Sequence, residues 1–236
     1  MTINLGCFDA AIIDLDGTLV DTLGDFVAAL ELLRADIASR GYVTVPFTGH
    51  TVKPMVGKGS ENLVKTALSM LNSLPAQVII AGSAIDSEAN FNWACARYQV
   101  HYRAVSGQHA SVYPGVVAAL QGLTAAGLAL ACVTNKPVAF AEPLLAQLGL
   151  AGFFSHVFGG DSFARKKPDP MPLLKTCEAL VALPARTLVV GDSSNDFEAA
   201  RAAGCPVVLV TYGYNHGQPI DAVKADGFVD SMAELV

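Results

Sequence analysis

The chain of 236 residues carries a formal net charge of −6, and 52% of its residues are hydrophobic while only 15% are charged. This composition excludes a disordered protein, and the acidic balance argues against a nucleic-acid surface, which needs clustered Lys and Arg. Five scattered cysteines without a C-x-x-C spacing indicate neither a disulfide framework nor a zinc site, so we expect a reducing cytoplasm. We expect no secretory signal and no membrane anchor.

Five short apolar runs predict β-strands, because continuous apolar residues without alternation are typical of strands covered on both faces. The runs are 10–13, 128–133, 157–158, 187–190 and 206–210. Segments of helical length alternate with the later runs, at 115–126, 138–148, 170–180 and 195–203. This alternation predicts an α/β fold with a doubly wound parallel sheet, in which ligands bind beyond the carboxyl ends of the strands.

More than one hundred residues separate the first two runs, far more than one crossover helix needs, so we predict an inserted α-helical cap domain. Its first helix begins near Thr22 or Asp25, carries apolar residues at helical spacing and stops near Gly41. Further helices are predicted at 60–71, 75–81 and 87–103. The expected division is a core of residues 1–20 and 112–236, a cap of residues 21–111, and candidate hinges at 20–23 and 106–111.

Two acidic residues, Asp14 and Asp16, follow the first apolar run, and Gly17 and Thr18 then break the strand. A surface turn is the ordinary explanation of an Asp-Gly pair. Carboxylates that emerge from a strongly apolar strand are costly without partners, which favours a functional site over a simple turn.

The segment that begins at Asp14 and reads D-L-D-G-T-L-V-D-T resembles the first motif of the haloacid dehalogenase superfamily, in its phosphatase branch. Three further motifs of that family follow in the expected order: Thr134 after a strand, Lys167 before a proline, and Gly191-Asp192 with Asp196 four residues on. Chance agreement of all four is far less expected than agreement of one. The resemblance implies a Rossmann-like core, a cap and magnesium-dependent phosphatase activity.

The resemblance gives each motif residue a role. Asp14 is the nucleophile that forms an aspartyl-phosphate, and Asp16 protonates the leaving group and then activates water. Thr134 and Asn135 bind phosphoryl oxygens, and Lys167 is the counter-charge that a carboxylate nucleophile needs when it approaches an anion. A strand-ending Thr is often only a cap, the run 165–167 could be a solvated loop, and Lys166 could take the place of Lys167.

A magnesium site is implied at the same place, with Asp14, the carbonyl of Asp16 and Asp192 as oxygen ligands. Asp196 is either a further metal partner or a structural acid in the first turn of a helix. In the second interpretation, Asn195 and Glu198 form a capping box.

One segment of the inserted domain, K-P-M-V-G-K-G from Lys53 to Gly59, resembles the cap loop of phosphoglycolate phosphatases. Lys53 stands where an arginine is usual, and Met55 stands where an aromatic residue is usual. The resemblance implies that Lys53 and Gly57 bind the non-reacting end of an anionic substrate. A lone G-x-G is otherwise most often a turn.

The expected function is therefore hydrolysis of a small phosphomonoester, with 2-phosphoglycolate or a similar phosphorylated acid as the substrate. The alternatives are a phosphotransferase such as a sugar phosphomutase, and a non-catalytic binding module. Dehalogenation is disfavoured because Asp16 is present. A small phosphorylated metabolite is the expected partner, without nucleic acid or membrane, and the protein is expected to be a monomer or a dimer.

Overall fold

The structure is a computed structural model that describes residues 4–74 and 84–236. Contacts within the chain divide these residues into two compact units. The first unit contains the described residues up to Asp21 together with Ser111–Val236, and the second contains Thr22–Ala110. These limits differ by one residue from the division expected from the sequence. The helix predicted at 75–81 lies outside the described residues, and the role of the second unit as a cap stays a prediction.

All strands within residues 4–74 and 84–236 belong to the first unit. They are β1 (Ala10–Ile13), β2 (Val20–Asp21), β3 (Ser111–Val112), β4 (Ala129–Val133), β5 (His156–Phe158), β6 (Thr187–Gly191), β7 (Val207–Val210) and β8 (Gly227–Val229). Six of them form one parallel sheet in the order β5-β4-β1-β6-β7-β8, while β2 and β3 form an antiparallel pair. All four residues of β1 are fully buried, as expected for the central strand of a sheet covered on both faces.

Helices make up the second unit. They are α1 (Leu23–Ser39), α2 (Gly49–Val52), α3 (Ser60–Asn72) and α4 (Glu88–Val105). Helix α1 begins after Thr22, and Gly41 follows its end with a positive φ of 87°. Asp25, in the first turn of α1, is buried and accepts hydrogen bonds from the N–H groups of Gly107 and His109 at 2.6 and 2.8 Å. This carboxylate holds the segment after α4 against the start of α1.

The first unit contributes four longer helices. They are α5 (Val116–Ala125), α6 (Val138–Gln147), α7 (Met171–Leu180) and α8 (Ser194–Ala203). The α/β fold with a parallel sheet is therefore confirmed, and each predicted strand or helix among the described residues lies within two residues of its expected limits. Strands β2, β3 and β8 and the short helix α2 were not predicted. Across residues 4–74 and 84–236, every helix is too short or too polar to span a lipid bilayer.

The start of α8 corrects one prediction. Its N-terminal cap is Ser193, which forms a capping box with Asp196, so the alternative box of Asn195 and Glu198 is wrong. The helix starts two residues earlier than that box requires, because the carboxylate of Asp196 turns back onto the N–H and hydroxyl groups of Ser193.

Candidate active site

The carboxylate of Asp14 lies at the carboxyl end of the central strand β1. Its backbone N–H donates to the carbonyl of Val190 at 2.9 Å, which continues the ladder between β1 and β6. Only 8% of the residue is exposed, and one carboxylate oxygen accepts a hydrogen bond from the Lys167 ammonium at 2.8 Å. The sheet therefore holds the Asp14 backbone rigidly, and a buried cation faces its side chain.

Asp16 lies in the tight turn that follows. Gly17 adopts a φ of 88°, a left-handed conformation that glycine accepts readily, and its N–H donates to the carbonyl of Val20 at 2.9 Å. Both carboxylate oxygens of Asp16 accept from the ammonium of Lys136, at 2.8 and 3.2 Å. Asp16 is thus held by a buried lysine to which the sequence analysis gave no role.

Lys136 belongs to the segment T-N-K that follows β4. The backbone N–H of Lys136 donates to the hydroxyl of Thr134 at 3.2 Å, and the N–H of Thr134 donates to the carbonyl of Phe158 at 3.0 Å. The side-chain amide of Asn135 donates to the carbonyl of Lys167 at 2.9 Å. Thr134 therefore lies at the carboxyl end of β4 beside Lys136, and Asn135 here holds the backbone of the lysine loop. Their binding of phosphoryl oxygens stays a prediction.

Lys167, rather than its neighbour Lys166, is the lysine that the structure places in the site. Its ammonium donates to Asp14 at 2.8 Å, to Asp196 at 2.6 Å and to the carbonyl of Val133 at 2.7 Å, and the residue is buried. Lys166 is exposed. The peptide bond between Lys167 and Pro168 is cis.

Two further carboxylates complete the cluster at the end of β6 and the start of α8. One oxygen of Asp192 accepts from the N–H of Tyr214 at 2.7 Å. One oxygen of Asp196 accepts from Lys167, and the other accepts from the N–H and hydroxyl of Ser193. Single carboxylate oxygens of Asp14, Asp192 and Asp196 all lie within 4.8 Å of one another.

Burial dominates the electrostatics of this cluster. It raises the pKa of Asp14 to about 7, against the opposing charge of Lys167 and with the help of Asp196 and Asp16. Burial also raises the pKa of Asp192 well above its ordinary value, and the charges of Asp196 and Asp14 add to that shift. Burial alone would lower the pKa of Lys167, but the charges of Asp14 and Asp196 hold it above its usual range.

The donor set fits a magnesium ion. Mg²⁺ prefers hard oxygen ligands, and the three closely spaced carboxylate oxygens supply them. Among the residues that the structure describes, four carboxylates and two ammonium groups meet at this edge, so negative charge exceeds positive charge when all are ionised. A divalent cation would offset that excess and favour the ionised carboxylates.

The expected substrate residues of the inserted domain lie in the second unit. Lys53 begins a short 3₁₀ helix, Lys53–Met55, and is exposed. Gly57 follows with a φ of 108°, a conformation that explains the glycine by backbone geometry alone. Their binding of a substrate stays a prediction.

Comparison with known proteins agrees with the arrangement of these motifs. A family model described as haloacid dehalogenase-like hydrolase matches residues 8–204. This chain belongs to that family. It is 41% identical over 228 residues to the phosphoglycolate phosphatase of Thiobacillus denitrificans, covering 95% of this chain and 92% of the relative. It is 43% identical over 234 residues to the plasmid-encoded phosphoglycolate phosphatase of Cupriavidus necator, covering 99% and 94%.

A solved structure agrees with the sequence relatives. The crystal structure described as a predicted phosphoglycolate phosphatase from Haemophilus somnus 129pt superposes with a TM-score of 0.85 at 31% identity, covering 97% of this chain and 96% of that one. The expected membership in the haloacid dehalogenase superfamily and the likeness to phosphoglycolate phosphatases are therefore confirmed. The chain is a hydrolase of this family.

Proposed function

We propose that the protein hydrolyses a small phosphomonoester, 2-phosphoglycolate or a similar phosphorylated acid, with Asp14 as the nucleophile and Mg²⁺ as the cofactor. The observation that carries this proposal is the buried carboxylate of Asp14 at the end of β1, 2.8 Å from the ammonium of Lys167 and beside Asp192 and Asp196. A carboxylate in a fixed position next to a buried cation is suited to attack phosphorus.

The first half of the reaction transfers the phosphoryl group to Asp14. An oxygen of Asp14 attacks phosphorus as the bond to the ester oxygen breaks, and Asp16 gives its proton to that leaving oxygen. Lys167, with Thr134 and Asn135 beside it, stabilises the negative charge of the phosphoryl oxygens. The products of this half are the free alcohol and an aspartyl-phosphate.

The second half releases phosphate. Asp16, now ionised, accepts a proton from a water molecule whose oxygen attacks phosphorus, and the bond to the Asp14 oxygen breaks. Inorganic phosphate leaves and Asp14 is restored. Asp16 needs to face both the leaving oxygen and the water, and the paired hydrogen bonds from Lys136 fix the direction of its carboxylate.

The magnesium ion would be held by Asp14, the carbonyl of Asp16 and Asp192. When bound, it neutralises phosphoryl charge and so lets one anion approach another. Asp196 accepts from Lys167 and Ser193 with its two oxygens, which supports a role in orienting Lys167 beside the ion.

The substrate class is supported by the two relatives described above, both of which are named phosphoglycolate phosphatases. We assign Lys53 and Gly57 to the carboxylate end of such a substrate, where Lys53 would supply a point charge instead of an arginine fork. All five cysteines are free thiols, which supports the reducing cytoplasm expected from the sequence.

The test is an assay of phosphate release with Mg²⁺ against a panel of phosphoesters. Asp14→Asn should lower kcat by about 10⁴-fold or more, as loss of a nucleophile does in other enzymes. Asp9→Asn, at the opposite end of the same strand, is the matched control and should keep wild-type activity.

Two results would sink the proposal. One is the absence of phosphate release from every ester in the panel, and the other is full activity of Asp14→Asn. Phosphoryl transfer to a sugar phosphate without release of phosphate would instead identify a phosphotransferase.

A further inference from the structure

The loop that follows β7, residues 211–218, contains two residues in an uncommon backbone conformation. Asn215 has a φ of 35° and His216 a φ of 52°. Positive φ is rare outside glycine, and Asn is one of the few residues that tolerate it. Asn215 is only 5% exposed, so its conformation is fixed inside the protein rather than in a solvated turn.

The side chain of Asn215 joins this loop to the start of α8. Its carbonyl oxygen accepts from the N–H of Ser194 at 2.9 Å, and its amide nitrogen donates to the carbonyl of Gln218 at 2.8 Å. Ser194 is the first residue of α8, and its N–H has no acceptor within the helix. The side-chain oxygen of Asn215 supplies that acceptor. The side-chain nitrogen of the same amide links Asn215 to Gln218, three residues later in the loop.

The same loop encloses the carboxylate of Asp192. The N–H of Tyr214, the residue before Asn215, donates to one oxygen of Asp192 at 2.7 Å. A Cβ atom added at Gly213 would collide with the Asp192 side chain, and one added at Gly17 would also collide with it. The Asp192 carboxylate therefore packs closely against the backbone at Gly213 and at Gly17. Its direction depends on the position of the loop 211–218.

We infer that Asn215 is a positioning residue for Asp192. By binding both Ser194 and Gln218, it holds the loop so that the Tyr214 N–H and Gly213 fix the Asp192 carboxylate. This inference rests on the proposed function, in which Asp192 is a ligand of the divalent cation. Asn215 then supports the site without contacting the substrate or the metal, and it affects the affinity for the metal through the position of Asp192.

The decisive measurement is the dissociation constant of Mn²⁺, followed by its electron paramagnetic resonance signal, and that of Mg²⁺ by competition. Asn215→Gly keeps the backbone free to adopt positive φ but removes both side-chain hydrogen bonds. It should raise the dissociation constant about 10- to 100-fold. Saturating Mg²⁺ should restore most of the kcat, because no reacting group has been removed.

Asn90→Ala is the matched control. Asn90 is also a buried asparagine, and its amide donates two hydrogen bonds, to the Tyr42 hydroxyl at 2.9 Å and the Ala84 carbonyl at 2.8 Å in the second unit. Its loss should lower the melting temperature of the metal-free protein about as much as Asn215→Gly, with an unchanged dissociation constant for Mn²⁺. Gly213→Ala, which pushes a methyl group against Asp192, should weaken Mn²⁺ binding even if Asn215→Gly does not fold.

The outcomes separate this inference from the proposed function. If Asp192→Asn loses Mn²⁺ binding while Asn215→Gly and Gly213→Ala keep it, the positioning role is overturned and the metal site stands. If Asn90→Ala weakens Mn²⁺ binding as much as Asn215→Gly, the effect is one of general stability and the positioning role is overturned. If Asp192→Asn itself binds Mn²⁺ like the wild type, the proposed metal site fails as well.

Discussion

Strand β1 has an aspartate paired with a basic side chain at each end, and the two pairs differ in solvent exposure and in the direction in which the pKa of the aspartate is shifted. At the amino end, Arg186 forms two hydrogen bonds with Asp9, and the two side chains are 44% and 50% exposed. At the carboxyl end, Lys167 and Asp14 are 4% and 10% exposed. The hydrogen bond from Arg186 lowers the pKa of Asp9, whereas burial raises the pKa of Asp14.

Solvent access explains the difference. The exposed pair keeps most of its hydration, so the partner charge decides the pKa, and such pairs add little to stability. The buried pair has lost its water, and one lysine there faces more than one carboxylate, so desolvation and like-charge repulsion decide the pKa. At the carboxyl end of β1, the negative charge of the ionised carboxylates thus exceeds the positive charge of the lysines beside them. Such an excess of charge is typical of a functional site.

The largest expected effect is on activity. Lys167→Ala should lower kcat/KM by about 10²- to 10³-fold, because it removes the ammonium that contacts Asp14 and that, in the proposed mechanism, stabilises the phosphoryl oxygens. Arg186→Ala, in the exposed pair, should leave kcat/KM unchanged. Steady-state kinetics with saturating Mg²⁺ measure both, after circular dichroism has verified the fold. Equal losses in the two variants would remove the functional distinction between the two ends of the strand.

A smaller loss of activity is expected from Lys136→Met. If Lys136 directs the carboxylate of Asp16 towards the leaving oxygen, kcat on an alkyl phosphate should fall about tenfold, a fraction of what a general acid contributes. The loss should shrink with p-nitrophenyl phosphate, whose leaving group needs no proton. Lys175→Met, which breaks an exposed pair with Glu178, is the control. A loss that is the same for both leaving groups would contradict the link between Lys136 and Asp16.

The smallest expected effect is on the pH dependence of the free energy of unfolding. The pKa of Asp14 rises from 3.8 in the unfolded chain to about 7 in the fold, so the folded protein retains a proton that the unfolded chain releases. The free energy of unfolding of the metal-free protein should therefore fall as the pH rises from about 4 to about 7, and the raised pKa of Asp192 acts in the same direction.

Magnesium should reverse this trend, since it binds the ionised carboxylates. The increase in melting temperature produced by Mg²⁺ should be larger at about pH 8 than at about pH 5.5. Differential scanning calorimetry at the two pH values measures both effects. An increase that is equal at the two pH values would mean that these carboxylates do not titrate in that range.

The sequence predicted the strands best where apolar residues run without interruption, as in Ala10–Ile13 and Thr187–Gly191. Strand β8 was not predicted from the sequence because Gly227–Val229 is only three residues long and begins with glycine, which has little preference for strands. The cap of α8 was misplaced because the segment S-S-N-D offers four consecutive capping residues, and tertiary contacts of Asp196 decide among them.

The sequence motifs indicated the candidate site residues. They did not indicate the residues that hold those side chains in position. Nothing in the sequence marks Lys136 as part of the site, because it is a single lysine after a strand. Only the folded chain shows that its ammonium contacts Asp16, 120 positions away. Nothing marks Asn215 either, because its role depends on a positive φ and on two backbone partners. Patterns in a sequence record residues that act on a substrate more clearly than residues that hold other residues in place.

The position of β1 has a consequence for the synthesis of the protein. Ala10 is made before both of its partners in the sheet, Ala129 and Thr187, and each of them follows it by more than one hundred residues. The nascent chain therefore carries an apolar strand whose two neighbours follow only after the whole of the second unit, residues 22–110, has been made. Asp14 is thus translated before β4 and β6, the two strands whose pairing with β1 completes the sheet edge at which it lies.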